Sequence, residues 1–360
     1  MFANGSDMGA RELLEAADSS AHRSLYVLGV GFDPRCLVGL RDFLAIDHQL
    51  EPAILRIAMP EAVPATQPLV VELAAIHLEE FERLTTGLDV FTLEYPRVES
   101  SYSAGTVIAR EITDADRLVG IGHLSIDISS LPSTLYFPVV KAALQAADLQ
   151  PDSSAHFAGD IQVVACENPA MDSSIRDLGV SGAAYVGGFR PRGQGDGDLE
   201  GTTVWAPVIG ENSGSALRAI HAFLEPDDVC PVLPFPAVDP RRSDALVLEH
   251  RNVLLDAFKV TASDFVYADE RNPFDLYRAL CSLERDYRAA LKPLAPTMVA
   301  LSAHGSKLLS LGVLLAAYER KMPIVAAAVE GYEIVDGARL QDFGDTNQLC
   351  CLWLAGAPFK

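Results

Sequence analysis

Lysine is scarce in this chain: six of its 28 basic residues are Lys and the rest are Arg. Basic residues of both kinds are outnumbered by 49 acidic ones, for a formal charge of −21. That balance excludes tight nonspecific binding to DNA, RNA or anionic membrane, because counterion release needs a basic footprint. Long apolar runs are missing too. None approaches the roughly 18 residues of a bilayer-spanning helix, and the apolar stretch Leu308–Ala317 fits a helix buried against a sheet. The cysteines Cys36, Cys166, Cys230, Cys281, Cys350 and Cys351 form no CxxC pair, and the neighbours Cys350 and Cys351 cannot easily bridge each other. With no signal peptide recognisable, reduced thiols and a soluble, cytoplasmic protein are expected. No spacing is diagnostic of a metal. His77 with Glu80 or Glu82 lacks a second histidine at i+4, so that segment reads as a solvated helix face, and neither a metal nor a cofactor is expected.

What is present is a core-forming composition in an alternating order. Apolar residues make up 49% and charged residues 21% of 360 positions, enough to bury a sizeable core in two domains or one large α/β unit. Short apolar strands over Leu25–Val30, Pro52–Ala58, Val90–Tyr95, Leu124–Ile128 and Ile161–Ala165 alternate with helical segments. The alternation resumes with strands at Thr203–Val208, Val229–Pro234, Asp264–Ala268, from Thr297, Pro323–Val329 and Leu349–Leu354. This order predicts an α/β fold of two consecutive Rossmann-like halves, with mainly parallel sheets flanked by helices. The expected organisation is a polar arm over 1–23, a first half over 24–187, a Gly-rich hinge over 188–201 and a second half over 202–360.

In a parallel sheet the strand-to-helix loops lie at the strand carboxyl ends, where ligands bind near a topological switch point. Here those loops hold Asp33, Arg35, Asp127, Ser129, Glu211, Asn212, Ser215, Arg241, Arg242, Asp269, Arg271, Asn272, His304, Ser306 and Lys307, while the opposite loops are blander. The turn His304-Gly305-Ser306-Lys307 is the most informative of them. It opens a helix between two buried strands, and a helix N-terminus offers N–H groups and a positive dipole end to an anion. It is not a Walker A loop, which needs GxxxxGK[ST]. The expected ligand-binding residues are Lys307, Ser306, Gly305, His304, Asp127, Ser129, Asn212, Asp33 and Arg35. Tyr318 and Tyr332 could stack a base, though core packing accounts for them better.

No catalytic residue is assigned. Ser306, His304 and Asp127 could make a triad, but no GxSxG elbow exists. Glu211 and Asp269 could act as paired carboxylates in N-ribosyl cleavage, and nothing in the sequence sets their separation.

The segment Ser302-Ala303-His304-Gly305-Ser306-Lys307-Leu308, with its apolar helix and following strand, resembles the second ligand motif of CARF domains, the Rossmann-like sensors of prokaryotic defence systems. SAVED domains resemble two such units fused, and Asp127-Ile128-Ser129-Ser130 is similar to a ligand-facing position of the other half. The resemblance covers about thirty residues, and the turn has one glycine where the family often has two. It implies a non-catalytic, nucleotide-sensing regulatory subunit of an antiphage defence system. Lys307 and the helix N-terminus would take phosphate, and Asp127 and Asn212 would hold sugar or base edges. The partners it implies are a nucleotide-type small molecule and a separate effector such as an ATPase or nuclease, or the chain's own homo-oligomer. Two other readings stay open: a nucleotide- or ribose-processing hydrolase or transferase using Asp127, Glu211 or Asp269, and an assembly scaffold without ligand.

Overall fold

The structure is a computed structural model, which describes residues 2–3, 7–17, 22–48, 50–59, 67–95, 101–151, 153, 155–191, 201–293, 295–335 and 347–356. In chain order it opens with β1 (Phe2–Ala3), α1 (Asp7–Ala17), β2 (Arg23–Val30), a 3-10 turn over Pro34–Leu37, α2 (Val38–Leu44), β3 (Ala53–Ala58), α3 (Pro68–Leu84) and β4 (Asp89–Leu93). Next come α4 (Ser101–Ile112), α5 (Ala115–Leu118), β5 (Ile121–Asp127), α6 (Ser133–Ala147), β6 (Asp160–Glu167), α7 (Pro169–Ser174), β7 (Ile175–Asp177) and β8 (Val180–Tyr185). After β9 (Thr202–Val208) follow α8 (Gly214–Leu224), β10 (Asp228–Val229), β11 (Val232–Pro234), α9 (Arg242–Glu249) and a π-helical stretch over Asn252–Ala257. The chain closes with β12 (Val266–Ala268), α10 (Pro273–Leu291), β13 (Thr297–Ala303), α11 (Lys307–Arg320), β14 (Val325–Val329), β15 (Tyr332–Ile334) and β16 (Gln348–Ala355).

Two compact units result, one made of Met1–Leu178 with Gly331–Lys360 and the other of Gly179–Glu330. The second is therefore inserted in the first, and the expected boundary at 188–201 falls inside it; residues 192–200 of that stretch lie outside the described residues. The expected second half, 202–360, is corrected at its end. Strand β16 joins the first unit, antiparallel to β6 with Leu352 opposite Val163. An apolar strand pattern reports burial and says nothing of which sheet a strand joins, which is why the sequence misplaces it.

The first unit's seven-stranded sheet has the order β1-β16-β6-β5-β2-β3-β4. Strands β2 to β6 are parallel, and β2 lies between β3 on one side and β5 on the other. The expected polar arm is part of this unit. Strand β1 pairs with β16, and Leu13 and Leu14 of α1 enter the core with Phe43, Trp353 and Cys351. Helix α3 turns Val70, Leu73, His77 and Phe81 inward. At 7% exposure His77 is a buried residue rather than part of a solvated face, with Nδ1 2.8 Å from the Gly31 carbonyl.

In the second unit β9 pairs in parallel with β13 along its whole length on one side. On its other side it pairs with β10 and β11, and β11 pairs with β12. Strands β10 and β11 form one line interrupted at Cys230-Pro231, where proline cannot donate to the ladder. Trp205, Leu217, Ile220, Leu233, Leu246 and Leu254 form the core on one face. On α11, Gly312 has no side chain where one would meet the Pro273 carbonyl and Leu276 of α10, so the two helices pack closely. Strand β14 pairs with β8 in an antiparallel ribbon, and Ile324 alone bridges to β13.

Candidate functional site

Both sheets reverse their strand order at a defined place. In the first unit β3 and β4 are added to one side of β2 before β5 and β6 are added to the other; in the second, β11 and β12 lie on one side of β9 and β13 on the other. A parallel sheet leaves a crevice at such a reversal, outside the strand carboxyl ends. The candidate residues of the sequence fall at these two reversals and divide between the units: Asp33, Arg35, Asp127 and Ser129 belong to one, and Asn212, His304, Gly305, Ser306 and Lys307 to the other.

In the second unit the loops after β9 and β13 meet. The His304 amide donates to the Val208 carbonyl at 3.0 Å. Gly210 presses on the His304 carbonyl where no Cβ would fit, and Gly305 approaches the Val208 side chain. Ser306 caps α11, its hydroxyl accepting from the Leu309 amide at 3.2 Å, and Lys307 begins the helix half-buried. Burial, with a smaller contribution from His250, pushes His304 down from 6.5 to about 4. Its imidazole is therefore neutral near pH 7 and acts as a hydrogen-bonding group. Nε2 lies 2.9 Å from the Ser302 hydroxyl, which accepts from Trp205 Nε1 at 3.1 Å. His250 Nε2 donates to the Gly210 carbonyl at 2.8 Å and lies 3.3 Å from Ser213 Oγ. Asn212 takes a left-handed turn at φ 57°, which asparagine tolerates, and its backbone N–H donates to the Glu249 carboxylate at 2.7 Å.

The carboxylates of this rim are committed to contacts. Arg242 pairs with Glu211 at 2.9 Å and with Glu270, whose other oxygen accepts from the Val238 amide at 2.8 Å. Asp269 accepts from the Arg271 amide at 2.9 Å, as a turn-capping aspartate does.

The first unit's crevice is filled by the protein. Leu131 is fully buried and packs on Gly29, while Ser130 Oγ donates to the Gly29 carbonyl at 2.6 Å. Asp127 is 2% exposed. Its Oδ2 accepts from Tyr26 at 2.7 Å, and its Oδ1 accepts from the Ser129 amide at 2.9 Å and hydroxyl at 2.5 Å. Ser129 Oγ also accepts from the Cys166 amide at 2.9 Å. Asp33 caps the 3-10 turn, and its carboxylate binds the Arg35 guanidinium at 2.6 Å, with Asp172 at 2.7 Å on the other side. Arg35 is 4% exposed. These four residues thus tie loops together in the folded unit.

A cleft of about 460 Å³ lies at the opposite, amino-terminal ends of the first unit's strands, lined by His22, Gly120, Gly122, His156, Phe157 and Asp160 among others. It is away from the loops just described. Buried thiols offer no nucleophile, since burial pushes Cys36 up to about 12 and Cys230 up to about 11. Among the described residues no group of three His, Cys, Asp or Glu side chains could hold a metal ion, and no helix is long and apolar enough to cross a membrane.

No protein-family model and no curated protein matches this chain. Among solved structures it is similar to a universal stress protein from Pseudomonas aeruginosa UCBPP-PA14, at 12% identity and a TM-score of 0.23, over 88% of this chain and 95% of that one. So low a score carries no argument. The α/β class rests on the two parallel sheets and their helices.

Sequence reasoning named Tyr318 and Tyr332 as base-stacking candidates. Tyr332 follows the packing alternative, its ring tilted against Phe32 within the first unit with centroids 5.6 Å apart. The exposed aromatic pair of the second unit, Phe235 with Tyr267, was missed. Phe235 stands in a Pro-rich loop, and its one signal was its place directly after the strand Val229–Pro234.

Proposed function

We propose that the chain is a non-catalytic, nucleotide-sensing regulatory subunit of a prokaryotic defence system, which binds a phosphate-bearing ligand and signals to a separate effector. The observation that carries this reading is in the second unit. The loops flanking its strand-order reversal converge, and helix α11 opens between them with Lys307 in its first turn. A helix N-terminus and an ammonium group together suit a phosphate. His304, neutral and held by Ser302, suits a hydrogen bond to sugar or base. The non-catalytic part of the reading is supported by the carboxylates considered for catalysis. Asp127, Glu211 and Asp269 each satisfy a structural donor. The defence role is supported by the resemblance of residues 302–308 to the CARF motif.

Calorimetric titration of the full chain with mono-, di- and cyclic nucleotides tests the reading. Binding is expected, with Lys307→Ala weakening it about 10- to 100-fold, as loss of one hydrogen bond to a charged group does. The bound nucleotide should be recovered intact by chromatography. Its turnover would turn the reading to an enzyme, and absence of binding by any nucleotide would overturn it.

A further inference from the structure

We propose that Phe235 and Tyr267 form a nucleobase-stacking platform on the same rim of the second unit, which deepens the nucleotide-binding reading and rests on it. Phe235 is 55% and Tyr267 52% exposed, more than the other exposed aromatic side chains Phe91, at 40%, and Phe223, at 42%. Their rings meet edge to face, with centroids 6.0 Å apart at 75°. Such a pair leaves a ring face open to a third ring, and an exposed aromatic face recognises any base without hydrogen-bond readout.

The position argues for a base rather than a casual exposed patch. Phe235 follows β11 directly, and its amide donates to the Ala268 carbonyl at the end of β12 at 2.7 Å. From there a continuous line of contacts runs along the strand ends. The Glu270 amide donates to the Pro236 carbonyl at 3.0 Å, Arg242 joins Glu270 to Glu211, and Gly210 of the next loop presses on His304. Strand β11 is separated from β13 by β9 alone. Phe235 and the start of α11 are thus about two strand spacings apart, and Tyr267 on β12 about three, roughly 10 to 15 Å. A nucleotide laid along this rim would place its phosphate at Lys307 and its base on the aromatic pair. The Glu211 carboxylate lies between them with 22% of its side chain exposed, a suitable acceptor for ribose hydroxyls. In a chain of formal charge −21, the same two loops carry Arg241, Arg242 and Arg271 beside Asp239, Asp269 and Glu270, so the local charge is balanced where the ligand's base would lie.

The test compares AMP with ribose 5-phosphate by calorimetric titration of the full chain. Variants are Phe235→Ala/Tyr267→Ala, the conservative Phe235→Tyr/Tyr267→Phe, and Lys307→Ala. Because both rings are exposed, the alanine variant should fold, which an unchanged melting temperature confirms. The alanine variant should lose about tenfold or more in AMP affinity and leave ribose 5-phosphate unchanged. The conservative variant should bind AMP as the parent does, and Lys307→Ala should weaken both ligands. AMP binding that depends on Lys307 but not on the aromatic pair overturns the platform and leaves the phosphate site standing. Equal losses for both ligands in the alanine variant also overturn it. Failure of the parent to bind either ligand sinks the platform and the nucleotide reading together.

Discussion

Replacing Asp127 by alanine is the sharpest probe of the first unit, because the residue first reads as a ligand contact and the structure seals it inside. Its carboxylate accepts from Tyr26, the Ser129 amide and the Ser129 hydroxyl, at 2.7, 2.9 and 2.5 Å. Hydrogen bonds to a charged group contribute about 1.5–3 kcal/mol each, but bonds sharing one acceptor group do not add. Asp127→Ala also strands the Tyr26 hydroxyl in a fully buried place. The expected loss is about 3–5 kcal/mol, the scale of breaking a buried charged contact. Asp127→Asn, which keeps an acceptor, should lose about 1–3 kcal/mol, and Tyr26→Phe about 1–2 kcal/mol. Urea unfolding read by peptide-resolved hydrogen exchange on β2, β5 and β6 isolates this unit from the other. A loss within about 0.5 kcal/mol for Asp127→Ala, the range of an ordinary surface substitution, would refute the reasoning. pH gives a second check. Burial first, and Asp127 second, raise the Tyr26 phenol well above its ordinary value of 10.0. An acid whose folded value is raised contributes stability below its unfolded value and loses it as pH rises. Stability of this unit should therefore fall above about pH 10, with a shallower fall in Tyr26→Phe.

Arg35→Ala leaves Asp33 buried with its charge uncompensated. It should cost about 3–5 kcal/mol in chemical denaturation, with the double change Asp33→Asn/Arg35→Met costing less; a single-variant loss below about 1 kcal/mol would contradict the buried pair. In the second unit, His304 is held down to about 4 from 6.5, so the unfolded chain takes up this proton first on acidification. The stability it contributes is whole above about 6.5 and is lost between there and about 4, a change of roughly 3 kcal/mol at 1.36 kcal/mol per unit. His304→Gln should flatten that part of the stability-against-pH curve, and an unaltered curve would show that the imidazole is not buried.

Local pattern carried most of the elements. Leu25–Val30, Pro52–Ala58 and Thr203–Val208 coincide with β2, β3 and β9 within two residues, and Asp33, Asn168 and Asn272 cap the turns or helices that follow them. What stayed hidden was non-local. The strand at Leu349–Leu354 was read from its apolar residues, yet its pairing with β6 spans the whole inserted unit. Strands β7, β8 and β15 are half-buried and short, so alternation gave them little signal. The candidate site was legible as a set of loops and illegible as a set of roles. Arg35 in a strand-end loop looks like an anion binder until Asp172, 137 positions away, is found on it. Phe235 and Tyr267 carry no mark in the sequence that separates them from other aromatics, because exposure depends on β12 lying at the edge of its sheet.

The nested arrangement of the units bears on how the chain is made. Strand β6 receives its antiparallel neighbour only when residues 348–355 have left the ribosome, after every residue of Gly179–Glu330. The usual order, in which the N-terminal unit folds first during synthesis, is therefore closed to this protein. The inserted unit can complete itself while its host still waits for its last strand, with the unpaired edge of β6 exposed in the interval. Released chains truncated before residue 348 should accordingly show the later-made unit protected from protease and the earlier-made one open to it.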